Sequence, residues 1–430
     1  MYWTKASFFC LLGFSVLSAK NAAAQDNSPY SRFGLGELSR SENAVNLGMG
    51  GVSQAFYSAQ SVNFLNPASY SSLQLTTFDV ALNGGVRRLT SNETNSRAGF
   101  GTLSYLQLGV PLSKKWGLAF GLRPVSRVSY NIAEAEEKTF FDTLTVPVVH
   151  QYEGSGGLYQ VFAGTGVGIG NFSIGVNVGY VFGNVYNSTK ELYPLSSTIL
   201  PSRHSRRNDY GSFFYNVGIQ HTFHLSKDLE LTLGATGSLE QKLKARRESM
   251  RETLYYDAAS DEYDTQDTVF YEKGARGEIR YPQQFGGGIM LNKVDKFMIG
   301  VDYTTAKWDN FRNYGETDST RNSWKLSVGG QFVPNATALT GYWNKVTYRL
   351  GGHLGKDFVS INGEDMNTRG FTIGLGLPVR RMPFSYQFSQ INAAFEVGTR
   401  GDVNIAKETY YRLTIGFTLS DRWFIKTKYD

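Results

Sequence analysis

Five histidines, a run of acidic residues and a glycine-rich stretch are the places in this sequence where chemistry could be expected, and their spacing argues against most of it. His221 and His224 are three positions apart, which on a strand puts them on opposite faces, so they cannot share a metal ion. Asp257, Asp261, Glu262, Asp264 and Asp267 gather negative charge that could attract calcium, but their spacing fits no standard calcium loop and reads as a solvated acidic loop. The run Gly164 to Gly170 falls inside a hairpin rather than at the start of a helix, so it is no phosphate loop. Cys10 is the only cysteine, and it lies in an N-terminal leader without a lipobox around it. The expectation is therefore no enzyme, no metal, no cofactor and no nucleic-acid partner.

What remains is a set of cations and aromatics suited to binding. Arg123, Arg127, Arg349 and His353 are candidates to face an enclosed interior, where a guanidinium can hold a carboxylate head group. Arg123 and Arg349 are the first choices for that role. Phe56 and Phe64 are candidates for apolar contact. The bland reading is that these cations belong to a lumen-facing set with Asp79, Asp302, Lys325, Glu396 and Arg412, whose members pair with one another and with the chain that fills the interior, because unpaired charge in a narrow space is costly.

The elements that must position these residues are strands. With 47 Gly, 26 Tyr, 29 Phe and only 11 Pro in 430 residues, the composition favours an all-β protein. From about residue 75 onward, apolar side chains alternate with small or polar ones in segments of roughly ten. Phe172, Ile174, Val176, Val178, Tyr180 and Phe182 share one face, opposite Ser173, Gly175, Asn177, Gly179 and Gly183. Tyr411, Leu413, Ile415, Phe417 and Leu419 repeat the pattern.

Alternation alone does not separate a soluble sandwich from a membrane barrel. Loop lengths do. Tight turns at residues 113–115, 170–171, 226–228 and 292–296 alternate with long polar connections near 131–157, 186–210, 246–268 and 305–321, the asymmetry of an outer-membrane barrel. The hairpin region from Glu252 to Tyr271 carries alternating Tyr and Thr and is expected to extend the wall outside the bilayer. The count is about 14 strands, an even number, as a single-chain bacterial barrel requires. No run after the leader approaches the roughly 18 to 20 apolar residues of a spanning helix.

The leader itself has Lys5, an apolar stretch from Ala6 to Ala19 and small residues Ala22 to Ala24, a signal peptide spanning residues 1–24. Its removal takes away Lys5 and Lys20, so the formal charge falls from +6 by two to +4. Residues 73–430 are assigned to the transmembrane β-barrel. Residues 25–72 show little alternation and several glycines, and are read as an N-terminal plug threaded into the lumen from the periplasmic side, since a lumen of this size needs filling. Inward glycines such as Gly164, Gly166, Gly175 and Gly374 either make room for that plug or relieve curvature of a twisted sheet.

Asn46 to Ala55, followed by Phe64-Leu-Asn-Pro-Ala68, resembles the N-terminal hatch of the FadL-type outer-membrane transporters of long-chain fatty acids, with Asn66, Pro67 and Ala68 matching the family's hatch motif. Tyr281-Pro282 followed by Phe285 to Ile289, and Val328 to Pro334 leading to Tyr348 to Gly351, extend the likeness over most of the chain after the leader. The resemblance implies a 14-stranded antiparallel barrel with a luminal hatch in the outer membrane of a Gram-negative cell. It also implies passive uptake of hydrophobic, fatty-acid-like molecules that leave sideways into outer-membrane lipid beside an inward kink of the third strand, where this chain has Pro124. Barrels of this kind are also used as subunits of secretion or barrel-assembly complexes, so the alternative is a structural role with other outer-membrane proteins as partners. The chain departs from the family's pattern in Ser28 to Gly36 and in the charged stretch from Ser420 to Asp430.

Overall fold

The computed structural model describes residues 27–91, 95–140, 144–194, 199–338, 340–361, 363–379, 388–403 and 406–421. The expected signal peptide, Cys10 and the charged C-terminus after Asp421 lie outside the described residues. No described helix is long and apolar enough to cross a membrane.

The wall is a closed antiparallel barrel of 14 staves. They are β1 (Thr76–Thr90), β2 (Asn95–Ser113), β3 (Trp116–Phe140), β4 (Leu144–Ile169), β5 (Phe172–Leu192) and β6 (Ser202–His224). Then come β7 (Leu229–Ser238, resuming at Gln241–Asp257) and β8 (Glu262–Tyr281, resuming at Gln284–Lys293). The break in β8 falls at Pro282, which has no N–H to give to the ladder. The remaining staves are β9 (Phe297–Ala306), β10 (Ser323–Phe332), β11 (Thr347–Ile361), β12 (Glu364–Pro378), β13 (Phe388–Arg400) and β14 (Lys407–Asp421). β14 closes on β1 along its whole length, from Lys407 opposite Thr90 to Asp421 opposite Thr76.

Closure satisfies the backbone; alternation supplies the lipid face. On β5, Phe172, Ile174, Val176, Val178, Tyr180 and Phe182 are exposed on the outside while Asn177 is fully buried within. On β14, Tyr411, Leu413, Ile415, Phe417 and Leu419 point out and Thr414 and Thr418 point in. A ring of this kind is unfavourable against water and neutral against hydrocarbon.

The long polar connections expected near 131–157 and 186–210 are corrected by the structure to strand for most of their length, and the extension of the wall expected at Glu252 to Tyr271 is present, as the hairpins β3–β4, β5–β6 and β7–β8 carry the ladder well beyond the apolar band. These stretches keep the two-residue period with polar side chains, so they continue to pair once outside lipid. Only 306–323 stays irregular, with a short 3-10 turn (Trp308–Asn310) and a two-residue strand (Arg312–Asn313).

Residues 28–73 form an inner segment enclosed by the wall, with a five-residue helix α1 (Ala44–Gly48) and a 3-10 helix (Pro67–Ser72). Its course runs opposite to the expected threading from the periplasmic side. Ser28 bonds to Ser129 of the long β3–β4 hairpin, whereas Leu73 lies at the short-turn end, just before β1 begins at Thr76.

Candidate functional site in the barrel lumen

The lower half of the inner segment is fastened by local polar chemistry. Asn43 caps α1 through its side chain, which accepts from the Asn46 N–H at 2.9 Å. Asn66 does the same for the 3-10 helix, accepting from the Ala68 N–H, while its amide nitrogen donates to the Gln54 carbonyl at 2.6 Å and to Ile219 of β6 at 3.2 Å. Pro67 occupies the first helical turn, where its missing N–H costs nothing. It also sits against the wall so closely that a Cβ on Gly166 or Gly175 would come within 2.4 Å of its carbonyl oxygen. Asn66, Pro67 and Ala68 therefore meet as a structural clamp. Of the two readings of the wall glycines, room for the inner segment applies at Gly166 and Gly175, while the neighbours of Gly179 and Gly376 belong to the wall itself.

Higher up, charges join segment to wall. Lys325 of β10 donates to Glu42, Arg40 donates to Glu396 of β13, and Asp302 of β9 accepts the Gln54 N–H at 2.7 Å. Burial pushes the Glu42 carboxyl up, but Lys325 and Arg40 outweigh it and hold this group, carried on the segment rather than on a strand, well below the usual carboxylate range. Glu396 also meets Arg412 at 3.5 Å and His353 at 3.6 Å.

Above these links lies a cavity of about 390 Å³ lined by Phe64, Arg123, Phe214, Tyr281, Lys325 and His353, among others. Arg123 stacks over the Phe64 ring at 4.3 Å and donates to Ser41 at 2.5 Å. The cavity is roofed by an apolar cluster at the long-hairpin end. There Trp308 is 1% exposed and stacks on Phe358 with ring centroids 4.3 Å apart, packed with Phe311, Tyr30 and Leu35.

The wall itself lapses at one place among the described residues within the apolar band. β2 and β3 are paired from Ser113 and Trp116 up to Leu106 and Leu122; beyond that, of the wall strands, 95–105 of β2 pairs with β1 alone and 123–140 of β3 with β4 alone. Pro124 stands at the foot of the lapse, with a register shift between Pro124 and Ser126 in the β4 pairing, as expected of a bulge.

The bare edge of β3 is taken by the inner segment. Ser39 N–H bonds to the Val125 carbonyl at 2.9 Å, Leu38 stands opposite Ser126 and Glu37 opposite Arg127, and Ser28 N–H bonds to the Ser129 carbonyl at 2.9 Å. Asn27 and Asn131 exchange two further bonds at 3.0 and 3.1 Å. Across the opening, Glu37 pairs with Arg87 of β1 at 2.8 Å. A residual cavity of about 60 Å³ remains beside Phe100, Pro124 and Arg127.

The sequence-derived candidates divide among these places. Arg123, His353 and Phe64 share the main cavity, whereas Arg127 and Pro124 border the seam. Arg349, paired above with Arg123 as a head-group holder, instead donates to Asn392 at 2.9 Å and Gln331 at 3.2 Å, and its side chain packs against Gly48. Phe56 is buried in a separate cluster with Met49, Val52 and Met290. Sequence reasoning missed Glu37, Arg40 and Glu42, although charges placed in a segment expected to be enclosed must find partners. It also missed Trp308, whose position in an irregular connection gave no periodic signal.

A family model described as BamG matches residues 5–430. No curated protein matches the chain. In fold, it is similar to a FadL homologue of Pseudomonas aeruginosa, at 14% identity and a TM-score of 0.60, covering 90% of this chain and 100% of that one. It is similar also to the toluene transporter TbuX of Ralstonia pickettii, at 11% identity and a TM-score of 0.55 over 89% and 99% of the two chains. The toluene transporter TodX of Pseudomonas putida aligns at 14% identity and a TM-score of 0.53 over 91% and 100%.

Proposed function

The chain belongs to the BamG family, and from that premise we propose that it is a closed barrel serving as a structural subunit of an outer-membrane secretion or barrel-assembly complex. One observation carries this reading: the chain's own Glu37–Leu38, flanked by backbone bonds from Ser28 and Ser39, pair with β3 where a neighbouring strand would, at the one lapse in the apolar band of the wall among the described residues. A lateral exit must expose strand edges to lipid when open, and each unpaired backbone group there costs several kcal/mol. Here the β3 side of that edge is bonded from Val125 to Ser129 by the inner segment. The inner segment is joined to β10 and β13 by ion pairs with buried carboxylates, and Trp308 and Phe358 roof the lumen. A fold shared with hydrophobic-compound channels is thereby used as a stable wall with shaped outer surfaces.

The test is extraction from native membranes in mild detergent, followed by native-gel and mass-spectrometric analysis. Stoichiometric co-migration with other outer-membrane proteins supports the reading; migration as a single chain at every detergent concentration overturns it.

A second reading, passive uptake of hydrophobic small molecules, is favoured by the aromatic share of the luminal cavity, where Phe64, Phe214 and Tyr281 lie beside Arg123. On that reading Arg123 holds a carboxylate head group, and residues 27–39 withdraw from β3 to release the ligand. Hydrophobic-substrate uptake that disappears when the protein is deleted, and returns with it, supports this reading over the first.

A further inference from the structure

On the outside of β7 and β8, at the level where the apolar band ends, basic side chains stand opposite one another. Lys242 is in register with Arg280, Lys244 with Glu278, and Arg246 with Arg276. All six are exposed, while the alternate residues Leu243 and Ile279 are buried inside. Like charges directly opposite on paired strands are destabilising, so two such pairs two steps apart need a reason. Acidic neighbours answer only part of the charge: Glu278 pairs with Lys242 at 3.0 Å, and Asp209 of β6, in register with Arg246, is itself paired with Arg207 at 3.1 Å. The side chains of Lys244, Arg246, Arg276 and Arg280 have no hydrogen-bond or ion-pair partner among the described residues.

The place of this patch on the wall identifies what it faces. Directly below it the outward residues turn apolar, with Phe213 on β6 (73% exposed), Leu239 between the two parts of β7, and Phe285 on β8. Beside them, Tyr303 and Trp324 stack with centroids 6.3 Å apart, as in the aromatic girdle at a membrane interface. The long hairpins mark this as the outward-facing end of the barrel.

A molecule lying along this surface therefore presents acyl chains to Phe213, Leu239 and Phe285 and its head group to the cations. We propose that Lys242, Lys244, Arg246, Arg276 and Arg280 form a binding site for the phosphate groups of an outer-leaflet glycolipid. Guanidinium forks match phosphate oxygens in pairs, and an anion placed between opposed cations converts their repulsion into attraction. A free anionic solute would gain nothing from the apolar surface beneath, which is the ground for choosing a lipid.

The experiment titrates the full-length protein, purified in zwitterionic detergent, with diphosphorylated lipid A, with the same lipid stripped of phosphate, and with inorganic phosphate, reading bound lipid by native mass spectrometry. We expect lipid A to bind and the other two to bind at least about tenfold more weakly, with the Lys242→Gln/Arg276→Gln/Arg280→Gln variant losing about tenfold or more in lipid A affinity. Far-UV circular dichroism of the variant shows whether the barrel is intact, and each single substitution is carried in parallel in case the triple variant does not fold. Equal binding of the phosphate-free lipid, saturation by inorganic phosphate alone, or folded variants that bind lipid A as the parent does would each overturn the proposal.

Discussion

Leu38 of the inner segment stands opposite Ser126 of β3, in the register of a neighbouring barrel strand. Antiparallel partners have Cα atoms about 4.5 to 5.5 Å apart, a separation that a disulfide spans. Because Cys10 is the only native cysteine, a Leu38→Cys/Ser126→Cys variant is expected to cross-link on mild oxidation in native membranes, seen as altered mobility without reductant. If the seam is permanently closed, the cross-link leaves function intact; if a ligand leaves there, it blocks uptake. Failure to cross-link would mean that the segment does not occupy β3's edge.

Glu42 joins the segment to β10 through Lys325 and to Arg40 beside it. Glu42→Gln leaves two cations near a 4% exposed site without their counter-charge, and we expect a loss of about 2 kcal/mol, less than for a fully buried pair because both cations are partly exposed. Thermal unfolding in detergent measures it.

The same carboxyl sets a pH dependence. Its folded-state value is depressed, so the stabilisation is complete above the ordinary value of 4.5 and is lost only as pH falls through the lower folded value. The part of the hydrogen-exchange protection of residues 43–66 that Glu42 supplies, read as the difference between the parent and Glu42→Gln, should stay constant from neutral pH to about pH 5 and decline only in stronger acid. A difference that falls already between neutral pH and about pH 5 would show that Glu42 is not held by these cations.

Gly175 faces Pro67 with no space between them; a Cβ there would lie 2.3 Å from the Pro67 carbonyl carbon. Gly175→Val is expected to prevent the 3-10 helix from seating and to raise protease sensitivity within residues 43–73. Gly101→Val, at a glycine whose Cβ would meet nothing within 4 Å, serves as the control and should leave cleavage unchanged.

Trp308 roofs the lumen against Phe358. Trp308→Ala is expected to cost about 3–5 kcal/mol by opening a cavity in the apolar cluster. In planar bilayers, the parent should be electrically silent and the variant should show openings, because the roof is then incomplete.

The residue pattern by itself determined the wall. Period two is a local property, so the facing of Asn177, Asp302, Lys325 and Glu396 follows from counting along each strand, and the stave number follows from counting strands. The expected pairing of luminal charge with the enclosed segment was legible for the same reason, through Lys325 and Glu396. Only the tertiary structure decided which inward residues converge, placing Arg123 and Arg349 at separate sites, the first at the main cavity and the second against Gly48. It also decided that β3 parts from β2 above Leu122 and receives Glu37 and Leu38 instead. A strand edge offers the same donors and acceptors to any extended chain, so alternation fixes the face a side chain takes but not the partner its backbone finds.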